Sequence, residues 1–182
     1  MKSNLKTMIL SLAGTGMVVS LAMAGVKMLT DEPIAEAAER ARHEALQAVL
    51  PAFEYVGSEE TPDGLTVFTA VSDDVPAGYA VETFSDNGFG GRISILVGFD
   101  TDGRLHGYRV LSHAETPGLG ANMDRWFMAD GTSHDVRGTT ATLGVKADGG
   151  TVDAMTGATI SSRAFLEAVN KARQAAEQKM QP

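Results

Sequence analysis

The chain of 182 residues contains no cysteine, so it can form no disulfide and cannot bind an iron–sulfur cluster through thiolates. It has only four histidines, and they show no close ligand spacing, so we predict no metal site. The sequence also lacks a Gly-x-Ser-x-Gly segment or another nucleophile motif, and we assign no catalytic residue. None of these absences identifies the cellular compartment.

Acidic residues are missing from the first 29 positions, whereas the rest of the chain is strongly acidic. The formal net charge is −8, and residues 1–29 hold three lysines, which leaves 12 basic against 23 acidic side chains in the remainder. We expect no nucleic-acid partner, because binding to a phosphate backbone requires a basic face. The length leaves room for one ordinary domain and an anchor.

An uncharged segment of nineteen residues, Met8 to Val26, follows two lysines. At about 1.5 Å per residue, a helix of this length just crosses a hydrocarbon core of roughly 30 Å. The lysines before it and Asp31 and Glu32 after it predict a single-pass helix in the plasma membrane, with the N-terminus in the cytoplasm and the main domain outside. A cleaved signal peptide is the alternative, because residues 22–24 (Ala-Met-Ala) have the pattern of a cleavage site.

The part beyond the anchor begins with a helix and continues as strands. Asp31 to Leu50 keeps an approximate 3.6-residue apolar period and stops at Pro51, which predicts an amphipathic helix. Alternating or β-branched runs then predict four strands, and Asp102-Gly103 between the last two predicts a hairpin. The predicted strands are Leu65–Val71, Tyr79–Phe84, Arg92–Phe99 and Arg104–Leu111. The Gly88–Gly91 run is predicted to be a turn at a strand entrance, because no βαβ unit surrounds it.

A stretch rich in Gly, Thr and Asp follows from Ser112 to Val152, with a weak strand signal at Thr140–Lys146. A helix then resumes from about Ser161 to Lys179. Its predicted buried stripe consists of Phe165, Leu166, Val169 and Ala172. This order of elements favours an α+β domain with a mainly antiparallel sheet and flanking helices. We expect four segments: a cytoplasmic N-terminus (1–7), a transmembrane helix (8–29), a connecting amphipathic helix (30–55) and an extracytoplasmic domain (56–182).

The segment that carries chemistry is residues 153–162, Asp-Ala-Met-Thr-Gly-Ala-Thr-Ile-Ser-Ser, where a loop becomes the final helix. Small residues at Gly157 and Ala158 let the main chain approach a bulky anion, and the free N–H groups of the first helical turn attract negative charge. We therefore expect a phosphate to bind there. Hydroxyls are supplied there by Thr156, Thr159, Ser161 and Ser162, and a hydroxyl held against a phosphate can become its ester.

Helix capping is the simpler interpretation of these hydroxyls, with Thr156 or Ser161 as the cap, because Ser and Thr are common first residues of helices. A resemblance favours the other interpretation. Residues 153–159 are similar to the flavinylation motif of the FMN-binding domain family, in which a flavin transferase esterifies the second threonine of a Ser/Thr-Gly-Ala-Thr core to FMN. The matching residue is Thr159, and Thr156 stands where many relatives carry serine.

A second segment agrees with the first. Residues 112–120, Ser-His-Ala-Glu-Thr-Pro-Gly-Leu-Gly, resemble a stretch of the G subunits of the Rnf complex, an ion-translocating ferredoxin:NAD oxidoreductase. The two motifs occur in the same order in that family, and its anchor is also N-terminal. The resemblance extends through residues 90–93 and 148–150 and covers most of the chain, although residues 55–86 are unspecific.

The resemblance implies covalently bound FMN and a set of residues around it. These are Thr159 as the attachment residue, with Thr156, Gly157, Ala158, Glu115, Thr116, Gly118, Leu119 and Asp153 as further cofactor-binding residues. We expect Glu115 and Thr116 to hydrogen-bond ribityl or ring atoms, Leu119 to lie on the isoalloxazine face, and Gly118 to let the main chain pack against the flat ring. The alternative for this segment is a glycine-rich turn that Glu115 stabilises.

The resemblance further implies an electron carrier within a membrane complex that moves electrons between ferredoxin and NAD and couples this to sodium or proton transport. The implied partners are the other subunits of the Rnf complex, including a membrane flavoprotein subunit, and a flavin transferase for maturation. Two alternatives stay open: the C subunit of the sodium-translocating NADH:quinone reductase, and an exported ligand-binding module without redox function.

Overall fold

The computed structural model describes residues 5–61 and 64–180, without the side chains of residues 5, 6, 32, 34, 35 and 38. Helix α1 (Leu5–Val49) is followed by strands β1 (Tyr55–Glu60), β2 (Thr66–Ser72), β3 (Val75–Gly88), β4 (Gly91–Phe99) and β5 (Leu105–Ser112). The short helix α2 (Met123–Trp126) and the long helix α3 (Thr159–Met180) complete the fold, with 3₁₀ turns at Gly120–Asn122 and Lys146–Asp148.

The chain divides into two compact units, one up to His43 and one from Glu44 onwards. In the first unit, the helical segment Thr7–Asp31 is long and apolar enough to cross a membrane, and its apolar side chains are exposed. Pro33 lies inside α1 without ending it, and the predicted end of the helix before Pro51 is confirmed. The first four residues of the expected cytoplasmic segment lie outside the described residues, and the boundaries of the four expected segments stay a prediction.

The second unit is built on an antiparallel sheet in the order β1-β2-β3-β4-β5, each strand pairing with its neighbour along the chain. This confirms the predicted α+β class and the four predicted strands. The predicted hairpin between β4 and β5 is also confirmed, and its turn contains Gly103 in the left-handed conformation at φ +75°. The turn predicted at Gly88–Gly91 joins β3 to β4.

Both faces of this sheet are covered. On one face, β3 and β4 contribute Val81, Ile95 and Val97 to a core that includes the stripe predicted for α3, all four residues of which are buried. Fully burying an apolar side chain of this size stabilises the fold by about 1.5–3 kcal/mol. On the other face, the last turn of α1 packs against a smaller cluster. Its members are Ala45, Leu46, Val49, Leu50, Phe68, Ala70, Ala80 and Leu96.

Two expectations about secondary structure differ from what is observed. β1 is absent from the predicted strands, and the strand predicted at Thr140–Lys146 is wrong, because this segment forms only an isolated bridge between Val145 and Val152. The final helix starts at Thr159 and not at Ser161, which places the predicted attachment residue in its first turn.

Candidate functional site

The start of α3 is shaped by a tight turn. The main-chain N–H of Ala158 donates a 3.0 Å hydrogen bond to the carbonyl of Met155, and Gly157 between them adopts the left-handed conformation at φ +74°. The N–H of Ser162 then donates to the carbonyl of Ala158 at 3.0 Å and closes the first helical turn. No described residue accepts a hydrogen bond from the main-chain N–H groups of residues 159–161. These groups and the helix dipole form a site that attracts an anion.

The hydroxyls in this segment have different roles from those of helix caps. Thr159 is half-buried and Thr156 is exposed, and neither side chain hydrogen-bonds to another residue in the ranges that the structure describes. Ser161 lies inside the helix, so the capping interpretation is wrong for both of its candidates. Ser162 instead fastens the loop to the helix, because its hydroxyl accepts from the N–H of Met155 at 2.9 Å and donates to the carbonyl of Ala158 at 3.0 Å.

A cavity of about 360 Å³ lies at this helix start. Pockets for small molecules and cofactors have volumes of roughly 300–1,000 Å³ and are mostly apolar with a few placed polar groups. The lining residues are Phe89, Glu115, Thr116, Leu119, Gly120, Gly157, Ala158, Thr159, Ile160 and Ser161. The cavity therefore brings the two motifs together, although residues 121–152 lie between them in the sequence.

Three of the lining side chains are exposed and apolar. Phe89, Leu119 and Ile160 are 70%, 44% and 49% exposed. Phe89 and Ile160 are not among the predicted site residues. The sequence does contain a signal for Phe89. This aromatic residue lies between glycines at a strand entrance, and a glycine-rich turn has few side chains that could bury it.

The loop after β5 is fixed by its own hydrogen bonds. The N–H groups of Leu119 and Ala121 both donate to the carbonyl of Thr116 at 3.2 Å, and Gly118 has φ +77°. The side-chain amide of Asn122 donates to the carbonyl of Gly118 at 2.9 Å. Thr116 and Leu119 line the cavity, whereas Gly118 shapes the loop without lining it.

Glu115 is buried, with 5% of its surface exposed. Its Oε1 accepts a 3.0 Å hydrogen bond from the main-chain N–H of Gly90, and its Oε2 accepts a 2.5 Å bond from the Ser161 hydroxyl. Both carboxylate oxygens are thus engaged by the protein. Their donors lie in the β3–β4 turn and in α3, so the Glu115 side chain does not stabilise its own glycine-rich loop as the alternative supposes. The sequence suggests Ser161 as a cap or as one of the hydroxyls near a phosphate, and its bond to the buried Glu115 carboxylate is what sequence reasoning missed.

Asp153 lies outside the cavity lining. Its carboxylate accepts a 2.8 Å hydrogen bond from the Lys146 ammonium group and another from the Ser133 hydroxyl, and these bonds lower the pKa of the Asp153 carboxyl below its ordinary value. The indole N–H of Trp126 donates to the Asp153 carbonyl at 3.2 Å. Asp153 therefore holds the loop in place before the tight turn.

A metal site is not apparent. No group of three or more His, Asp or Glu side chains with the geometry to hold a metal ion occurs among residues 5–61 and 64–180.

Arg163, in the second turn of α3, pairs with both carboxylate oxygens of Asp148 at 2.7 and 2.8 Å, and this lowers the pKa of Asp148. The positive character of the helix start thus comes from main-chain N–H groups.

A match to a known family identifies the class of protein to which this fold and cavity belong, a flavin-binding one. Residues 88–174 match the family described as FMN-binding domain, and this range contains the cavity and both motifs. FMN fits the site chemically, because the free N–H groups suit a phosphate and the apolar rim suits a flat ring.

Three relatives give the family more narrowly, and two of them match over most of their length. The G subunit of the ion-translocating oxidoreductase complex from Escherichia coli O157:H7 is 35% identical over 165 residues, 82% of this chain and 80% of that protein. The Salmonella typhi protein of the same name is 34% identical over 163 residues, covering 81% of this chain and 79% of the relative. That of Shewanella amazonensis is 36% identical over 115 residues, which is 61% of this chain and about half (54%) of the relative's length. The chain belongs to the G-subunit family of ion-translocating oxidoreductase complexes.

Proposed function

We propose that this chain is the electron-carrier subunit of a membrane-bound ion-translocating ferredoxin:NAD oxidoreductase, and that it carries FMN as a phosphoester on Thr159. The observation that supports this most directly is the position of the Thr159 hydroxyl. It belongs to the first residue of α3, lines the cavity and stands beside main-chain N–H groups without partners among the described residues. A phosphate bound by those groups lies within reach of that hydroxyl.

Attachment requires an activated donor, because forming a phosphate ester from an alcohol and free FMN releases water and is unfavourable in water. The proposed donor is a flavin dinucleotide presented by a flavin transferase. The Thr159 Oγ1–phosphorus bond forms, the pyrophosphate bond breaks, and the nucleoside monophosphate leaves while the hydroxyl proton passes to a base of the transferase. No redox change occurs in this step. The half-exposed position of Thr159 leaves it accessible to such an enzyme.

Bound FMN supplies the redox chemistry, and the protein supplies position and environment. In this proposal the phosphate lies at the start of α3, Thr156, Gly157 and Ala158 form the turn around it, and Thr116 and Leu119 face the ribityl chain and the ring. A covalent bond retains the cofactor in a domain that we place outside the cytoplasm, where no flavin pool replaces a lost one. The partners are the other subunits of the complex, including a membrane flavoprotein subunit.

The test is expression of the full chain with an active flavin transferase, followed by denaturing electrophoresis. The wild-type band is expected to fluoresce under ultraviolet light, and a peptide covering residues 153–163 should carry the added mass of FMN less one water. Thr159→Val removes the hydroxyl with little change of shape and should abolish the fluorescence, whereas the matched variant Thr159→Ser should keep it. Full flavin occupancy in Thr159→Val would refute the assignment. A dark wild-type band would instead favour an exported binding module without redox function.

A further inference from the structure

The carboxylate of Glu115 joins three segments that are far apart in the sequence. It accepts the main-chain N–H of Gly90 in the turn between β3 and β4, and it accepts the hydroxyl of Ser161 in the first turn of α3. The main-chain N–H of Glu115 itself donates to Nδ1 of His113 at 3.1 Å, which fixes the backbone from which the side chain extends. One side chain therefore ties the loop after β5 to both of its neighbours.

Three glycines enclose this carboxylate. A Cβ atom at Gly88 would lie 2.6 Å from Oε1, and one at Gly120 would lie 2.5 Å from Oε2 and 2.6 Å from the Ser161 hydroxyl. A Cβ atom at Gly90 would collide with the carbonyl oxygen of Ala114. At Gly88 and Gly90 the nearest atoms are main-chain carbonyl oxygens, so these positions leave room only for glycine, whereas a Cβ at Gly120 would displace the side chains of Glu115 and Ser161. The chain is built closely around the charged group.

We propose that Glu115 is a positioning residue, which holds the β3–β4 turn against the start of α3 and thereby sets the shape of the cavity. In naming FMN as the occupant of that cavity, this inference rests on the proposed function. It assigns Glu115 a different role from the direct flavin contact expected from the sequence. Phe89 on the turn and Thr159 on the helix keep their separation because this carboxylate links their neighbours.

The hydrogen bonds of Glu115 support this role. A carboxylate whose two oxygens each accept a donor makes strong, charge-assisted bonds, and removing one partner of a buried pair leaves the other unsatisfied. Only 5% of the Glu115 surface is exposed, so water cannot easily replace a lost partner. Loss of the Ser161 hydroxyl should therefore weaken the hydrogen bond between Glu115 and the Gly90 N–H, although Ser161 and Gly90 are not hydrogen-bonded to each other.

The first test measures that coupling without flavin. Amide hydrogen exchange is followed in the full chain in detergent, in a Thr159→Val background that cannot be flavinylated. Ser161→Ala is expected to speed exchange of the Gly90 amide by about tenfold. The Glu115 carboxylate, which accepts the Gly90 N–H, loses its second hydrogen bond in this variant and is held less firmly. Ser58→Ala, on the exposed strand β1, is the matched control and should leave that amide unchanged. Unchanged exchange at Gly90 in Ser161→Ala would overturn the proposal, whether or not flavin attaches to the wild type.

The second test uses the flavin transferase and rescue by a conservative variant. Glu115→Gln keeps a carbonyl oxygen for the Gly90 N–H and can donate its NH₂ group to the Ser161 oxygen, so it should retain most of the attachment rate. Glu115→Ala should lower that rate by about tenfold or more, because both links are lost. Equal losses in the two variants would overturn the proposal. They would show that the flavin needs the negative charge of Glu115 itself, because both variants lack that charge. Failure of attachment in the wild type, with the Gly90 coupling intact, would count against the proposed function alone.

Discussion

The side chain of Asn170 pairs with the main chain of Leu143 on both sides. Its Oδ1 accepts a 2.9 Å hydrogen bond from the Leu143 N–H, and its Nδ2 donates a 2.8 Å bond to the Leu143 carbonyl. A single side-chain amide thus takes the place of a neighbouring strand. This explains why the strand predicted at Thr140–Lys146 does not form: the main chain at its centre is satisfied by α3 and not by a sheet.

Replacing this amide should destabilise the domain. In Asn170→Ala, the N–H and carbonyl of buried Leu143 lose their partners, and we expect the free energy of unfolding to fall by about 2 kcal/mol. Asn170→Asp keeps the acceptor for the N–H but turns its second, negatively charged oxygen towards the Leu143 carbonyl, so its loss at neutral pH should be at least as large. Urea unfolding of the detergent-solubilised chain, followed by the fluorescence of Trp126, measures both. Gln174→Ala, exposed on the same helix, is the control, and an equal loss there would contradict the explanation.

The stability should also depend on pH through Glu167. Hydrogen bonds from Lys171, Asn87 and Ser85 lower the pKa of the Glu167 carboxyl below its ordinary value near 4.5. Because the folded-state pKa is depressed, the resulting stabilisation is present above the unfolded value and is lost as the pH falls through the folded value. We therefore expect the difference in unfolding free energy between wild type and Glu167→Gln to be constant above about pH 5 and to shrink at lower pH.

That difference is measured by urea unfolding at a series of pH values. Glu60→Gln, on the exposed strand β1, is the matched control and should not alter the shape of the pH dependence. If the wild type and Glu167→Gln lose stability in parallel as the pH is lowered through the acid range, Glu167 does not contribute to the loss of stability in acid.

Periodicity predicts most of the fold because most elements have one clearly buried face. β1 escapes prediction because it does not: among Tyr55–Glu60, only Val56 is partly buried, and the other five residues are exposed. The start of α3 is predicted two residues late because a hydroxyl residue is expected as its cap. The residue before the helix is instead Ala158, and the hydroxyl that bonds the loop to the helix belongs to Ser162 inside the helix.

The candidate site is predictable only within each motif. The motifs predict Thr116, Leu119, Gly157 and Thr159 as neighbours of one cofactor, and all four line one cavity. The contact between Glu115 and Ser161 is not predictable, because nothing in the sequence gives the distance between two segments 46 residues apart. The anchoring of Asp153 by Lys146, seven residues before it, is missed because the irregular loop between them has no periodicity that would place one side chain beside the other.

Gly157 offers a test of whether the tight turn sets the position of Thr159. Its φ of +74° is unfavourable for an L residue, and Gly157→Ala should cost about 1 kcal/mol of stability. Gly149 has φ +84° with open space around its Cβ position, so Gly149→Ala should cost a similar amount outside the cavity lining. Only Gly157→Ala is expected to slow flavin attachment, measured as fluorescence of the denatured band against time. Equal attachment rates in the two variants would contradict a role for the turn.

The orientation of the chain can be tested because it contains no cysteine. Three lysines and no acid in residues 1–29, followed by an excess of acids, favour a cytoplasmic N-terminus and an external main domain. Ser58→Cys, on the exposed strand β1, should therefore react with a membrane-impermeant maleimide added to intact spheroplasts, and permeabilisation should not increase the labelling. The unsubstituted chain provides a background free of thiols. Labelling that appears only after permeabilisation would place the domain in the cytoplasm. A covalent bond would then not be needed to retain the cofactor, because free flavin is present there.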